Sequence, residues 1–169
     1  FVQIAPFGYR DANEETPLLR QAQAAALRLP RTGMVVTLDV GDAKDIHPID
    51  KGPVGQRLGL LARARHYGDD VVCEGPIAVA ARAEGAVVTI AFAEPLHGLE
   101  LKNDGAGFEL AGRDGRFVPA TARVVGASLE LRAEGVSAPA VARYAWADVP
   151  GWSLVDKNGL PTPPFRFTL

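Results

Sequence analysis

The chain has one cysteine, Cys73, among 169 residues, which excludes an internal disulfide and any cysteine-rich zinc site. It has no surplus of either charge: 18 Lys and Arg stand against 20 Asp and Glu, a formal charge of −2. A surface that tracks phosphates needs a clear basic excess, so nucleic acid is excluded as the main partner. No apolar run approaches the roughly 18–20 residues of a bilayer span, although 47% of the residues are hydrophobic, enough for a folded core. Serine is scarce: only Ser128, Ser137 and Ser153 occur, none in a strand-to-helix turn with flanking glycines. Methionine occurs once, at Met34, and the first residues are Phe1-Val2-Gln3 with no basic leader. The chain therefore reads as a processed or truncated product whose upstream part lies elsewhere.

What is present divides into two patterns. Glycine (18) and proline (13) both exceed average usage, which suits many short elements joined by turns. Phe1 to Pro6 reads as a short strand, and Asp11 to Glu15 as a polar loop. Thr16-Pro17 then opens a helix, with Thr as N-cap and Leu18, Ala22, Ala25 and Leu29 on one face. Gly33 to Leu38 is a strand buried on both faces, and a second helix follows at about 50–67, with Gly68 at its C-terminal cap. Strand, helix, strand, loop, helix is the grammar of a parallel α/β sheet. From Cys73 onward the period becomes two. Glu84-Gly85 and Gly112 to Gly115 mark hairpins, and strands at Thr121–Val125, Ser128–Arg132 and Val141–Trp146 predict an antiparallel sandwich. The two units are residues 1–72 and 73–169.

The loop from Asp39 to Pro48 follows the buried strand, where α/β sheets gather functional groups. It holds Asp39, Asp42, Asp45 and His47. A histidine two residues after an aspartate, before a stiffening proline, fits a base whose Nδ1 proton is held by that carboxylate. The same acids also fit a structural role, capping the next helix from Asp50 and offsetting its dipole. A metal site built from the four residues is a third reading, although the spacing matches neither a calcium loop nor a zinc helix. His66 and His97 read as surface residues, and Cys73 as a small packed hydrophobe. Tyr144, Trp146 and Trp152 fit either core packing or a sugar-stacking platform. An acyl-transfer site also needs a nucleophile and oxyanion donors, which the chain does not offer beside His47.

Asp45-Ile46-His47-Pro48 with Lys51 and Val54-Gly55-Gln56-Arg57-Leu58 resembles a signature of the sialate O-acetylesterases, which are SGNH-type carbohydrate esterases. Gln3-Ile4-Ala5-Pro6-Phe7, Leu19-Arg20 with Gln23, Gly33 to Asp42, Glu74-Gly75-Pro76, Arg143-Tyr144-Ala145-Trp146 and Gly159 to Arg166 agree in order. The likeness covers about the C-terminal third of a family member. It implies the C-terminal end of an SGNH-type parallel α/β domain followed by an antiparallel β-sandwich, with no cofactor. His47 would be the triad base and general acid. The wider pattern sets the acid three residues before the histidine, where this chain has Lys44, so Asp45 takes that role with Asp42 in reserve. The resemblance further implies an acetylated carbohydrate as substrate, on sialic acid or on xylan or xyloglucan, and export to the periplasm or medium. The serine and the oxyanion Gly and Asn would lie in the upstream part of the same polypeptide. The alternative from another class is a non-catalytic carbohydrate-binding module.

Overall fold

The alternation of apolar and polar residues beyond Cys73 becomes strand pairing. The computed structural model describes residues 1–9 and 15–169, so the polar loop expected at Asp11–Glu15 lies outside it except for Glu15. Strands β1 (Ala78–Glu84), β2 (Val87–Phe92), β6 (Thr121–Val125) and β7 (Ser128–Arg132) form one sheet in the order β1-β2-β7-β6. Strands β4 (Phe108–Ala111), β5 (Phe117–Pro119), β8 (Val141–Tyr144) and β10 (Phe165–Thr168) form another, ordered β10-β8-β4-β5. Short strands β3 (Glu100–Leu101) and β9 (Leu154–Val155) pair with each other. All these pairings are antiparallel, and the expected hairpin turns sit at Gly85-Ala86 and Gly112–Gly115.

Period two buries every second side chain. Val88, Ile90, Leu129 and Leu131 of the first sheet are fully enclosed, as are Leu110, Ala142 and Tyr144 of the second. They join one hydrophobic cluster, in which the rings of Phe108 and Tyr144 stack at 4.5 Å. At roughly 1.5–3 kcal/mol for each large apolar side chain, this is the main source of stability.

The first 70 residues are built differently. Helix α1 (Glu15–Ala25) and helix α2 (Gly52–Ala62) lie near their expected positions, and α2 runs on as a π-helical turn, Arg63–Tyr67, to Gly68. Asp50 is not the N-cap of α2. Lys51 holds that place, and the Asp50 carboxylate accepts the Gly52 N–H at 3.0 Å instead. Among the described residues the parallel sheet expected here is present as one parallel bridge, Val2 to Val35. The Gln3 N–H donates to the Val35 carbonyl and the Val35 N–H to the Phe1 carbonyl, both at 2.9 Å. Side chains also bond the backbone beside this bridge. The Gln23 amide accepts from the Ile4 N–H at 2.9 Å and donates to the Val2 carbonyl, while Arg57 donates to the Val36 carbonyl at 2.9 Å. Met34, Val36 and Leu38 point the other way and join the cluster of the sheets.

The α1 face also departs from expectation. Leu18, Leu19 and Leu29 are exposed, and the helix instead buries Thr16, Pro17 and Arg20. Between the two regions the chain passes Gly75, where a Cβ would meet the carbonyl oxygens of Leu160 and Pro161 at 2.5 Å. Only glycine fits that approach.

Candidate active site

The buried run Met34–Leu38 delivers Asp39 to the start of the loop, and α2 begins where the loop ends. Asp39 is not a free acid. Its carboxylate is held bidentately by Arg57, Nη1 to Oδ1 at 2.7 Å and Nη2 to Oδ2 at 2.5 Å. Arg57 is itself buried.

The next three aspartates each brace the backbone. Asp42 Oδ1 accepts the N–H groups of Lys44 at 2.7 Å and Asp45 at 3.3 Å. Asp45 Oδ1 accepts the His47 N–H at 2.8 Å, and Lys51 Nζ donates to the Pro48 carbonyl at 2.6 Å. Aspartate favours such local bonds because its short side chain reaches a donor two residues on. Below the loop, Gly41 rests on Pro6 so closely that a Cβ would overlap Pro6 Cδ at 2.4 Å, and the Gly8 N–H donates to the Ala43 carbonyl at 3.0 Å.

On this braced loop the His47 side chain is 86% exposed, and its Nδ1 stands 3.9 Å from Asp45 Oδ1. The structure therefore brings the two expected site residues together, within ion-pair reach but beyond a hydrogen bond. Ile46 and Ile49, one and two residues away in sequence, are also exposed, Ile49 by 95%. Asp39 and Asp42 are committed elsewhere, and among the described residues no group of three or more His, Cys, Asp or Glu is placed to hold a metal.

The remaining candidates are dispersed. His66 and His97 are exposed, and Cys73 is a half-buried free thiol. Ser153 is buried and donates to the Ala106 carbonyl at 2.7 Å. Tyr144 and Trp146 are buried, so neither ring offers a face for sugar stacking. The Tyr144 hydroxyl accepts from the Ser153 and Leu154 N–H groups at 2.9 Å, and burial pushes its pKa up against those donors.

Two arginines that the sequence does not mark as buried, Arg20 and Arg57, are enclosed. Arg20 is wholly enclosed and donates to the carbonyls of Ile4 (3.1 Å), Ala147 (2.7 Å) and Asp148 (2.9 Å), tying the first strand to the segment after β8. Burial lowers its pKa to about 10, against the opposing pull of the Asp148 charge. Arg57 is the second. The signal that could have found both is an arginine within a helix of otherwise apolar or small neighbours, where a charge is kept only if it is bonded.

No protein-family model matches the sequence. The chain is 30% identical over 158 residues to the sialate O-acetylesterase of Pongo abelii, across 82% of this chain and 29% of that protein. Its structure resembles the crystal structure of a carbohydrate acetylesterase from Xanthomonas citri with a TM-score of 0.92 at 38% identity, over 98% of this chain and 40% of that one. The chain thus spans less than half the length of either relative.

Proposed function

We propose, for a chain that belongs to the sialate O-acetylesterase-like carbohydrate esterases, that it supplies the base and the orienting acid of an enzyme that removes acetyl groups from sugars. The observation that carries this reading is His47: an exposed imidazole on an aspartate-braced loop, 3.9 Å from the Asp45 carboxylate. A side-chain rotation that shortens this gap by about 1 Å makes a charge-assisted hydrogen bond.

In the proposed reaction a serine from the upstream part of the polypeptide attacks the acetyl carbonyl as His47 Nε2 takes its proton. Asp45 holds the Nδ1 proton and stabilises the imidazolium. The tetrahedral oxyanion rests on upstream Gly and Asn donors. His47 then protonates the departing sugar oxygen, the C–O bond breaks, and the acetyl group remains on serine. Water, deprotonated by His47, releases acetate and restores the serine hydroxyl. Sialic acid and plant polysaccharides are the two substrate classes in view, and the enzyme is proposed to be exported. Among the described residues no helix is long and apolar enough to cross a membrane.

The same reading gives the exposed apolar faces an occupant. Leu18, Leu19, Leu29 and Leu58 lie open to solvent, all within residues 1–72. We assign their cover to the upstream part of the domain, which would complete an SGNH-type sheet over residues 1–72 and leave 73–169 as a β-sandwich. The test is acetate release from an acetylated sugar by the full-length polypeptide beside its His47→Ala, Asp45→Asn and Asp42→Asn variants. Loss in the first two with retention in the third is expected. Near-normal turnover of His47→Ala would overturn the assignment.

A further inference from the structure

The segment that carries His47 is closed at both ends by one guanidinium. Arg57 comes from the second turn of α2, after the loop, and Asp39 stands before it. Arg57 also donates to the Val36 carbonyl, so strand, loop entrance and helix meet at one buried group. The side chains of the pair are 10% and 17% exposed.

Most of the loop's own bonds do not anchor it. Those of Asp42, Asp45, Asp50 and Lys51 run from one loop residue to another or to the first residue of α2. They make the loop stiff but leave it free to swing as a piece. Among the described residues its other backbone ties are Val40 N–H to the Thr37 carbonyl and Gly8 N–H to the Ala43 carbonyl near the entrance, and Gly55 N–H to the Lys51 carbonyl at the exit. A two-pronged bond between planar groups fixes orientation as well as distance, which a contact between apolar side chains does not. Burial of the pair makes breaking it costly, whereas a well-packed apolar replacement need not lose stability. Retaining ions there is thus explained by geometry better than by stability.

We propose that Arg57, through Asp39, is the positioning residue that sets where His47 stands relative to the strand beneath it. The structural part concerns the loop alone; its bearing on turnover rests on the reading of His47 as the base.

Two measurements separate these parts. Amide exchange is followed in this chain and in Arg57→Lys, which keeps the charge and loses the fork, and Asp39→Asn, which keeps the shape and loses the charge. Exchange at Val40 and Gly8, whose N–H groups tie the loop to the strand and segment beneath it, is expected to quicken about tenfold or more in both variants, with β2 and β7 unchanged, as for local opening. Unchanged exchange there overturns the proposal. So does equal acceleration in β2 and β7, or failure of both variants to fold, since either marks a general structural role.

In the full-length polypeptide, Arg57→Lys is expected to lower kcat about 10–100-fold with KM nearly unchanged, the scale of a small misplacement. The double variant Arg57→Lys/His47→Ala should be no slower than His47→Ala alone. Wild-type kcat in Arg57→Lys, where His47→Ala is inactive, overturns the positioning role. Should His47→Ala itself stay active, the base assignment fails and amide exchange alone decides the proposal.

Discussion

Helix α1 and strand β2 are both amphipathic, yet only the strand buries its apolar side. In β2, Val88, Ile90 and Phe92 enter the core while Ala91 faces out. In α1, Leu18 and Leu19 face out while Arg20 is enclosed. The β-rich region finds partners for its apolar residues inside the chain, because hairpins bring neighbours in sequence together as neighbours in space. The helical region binds itself by polar links: Gln23 on the first strand, Arg20 on the segment after β8, Arg57 on Asp39. Its apolar faces are spare, and spare apolar faces mark interaction surfaces. The β-rich region encloses its core with help from Met34, Val36 and Leu38, while leucines of the helical region stay open.

The sharpest separation between the two is functional. In the full-length polypeptide His47→Ala should lower acetate release about 10⁴-fold or more, as triad removal does, while the thermal midpoint holds because the ring touches little. A midpoint that falls with the activity would mean that His47 is structural. Next comes Leu110→Ala, which opens the core between strands and should cost about 2–5 kcal/mol in urea unfolding.

Tyr144→Phe strips the acceptor from two buried N–H groups and should cost about 2–4 kcal/mol near neutrality. It should also change the alkaline limb. Burial raises the Tyr144 pKa above its unfolded value near 10, so the unfolded chain loses that proton first. Tyr144 stabilises the fold fully below pH 10, and this contribution fades as pH climbs toward the folded pKa. The variant should therefore lose less stability above pH 10 than the parent, which unfolding curves at stepped pH would check.

The smallest effect tests the contrast most directly. Leu18→Ala should change stability of this chain by no more than about 0.5 kcal/mol, the range of ordinary surface substitutions. In the full-length polypeptide the same change should cost more. A cost in the chain equal to that of Leu110→Ala would erase the distinction.

The comparison also marks what was legible. The strand positions at Thr121–Val125 and Ser128–Arg132, the hairpin at Glu84-Gly85 and both helices could be read, because they depend on residues a few places apart. Which way α1 turns could not, since that depends on carbonyls of residues 147 and 148, far along the chain. In sequence Asp39 is one acid among four, and what singles it out is Arg57, 18 residues on. Asp50 was expected as an N-cap and bonds one residue earlier than the helix requires, a difference that spacing alone does not distinguish.

Gly75 lies just beyond the point where the pattern changes from helical to alternating, with backbone oxygens of residues 160 and 161 pressed against it. A change of composition is often taken as the place to cut a protein into parts or splice in a tag. Here a side chain at position 75 would run into those oxygens. The seam that composition marks as a place to divide the chain is thus a packed contact between residue 75 and the backbone of residues 160 and 161.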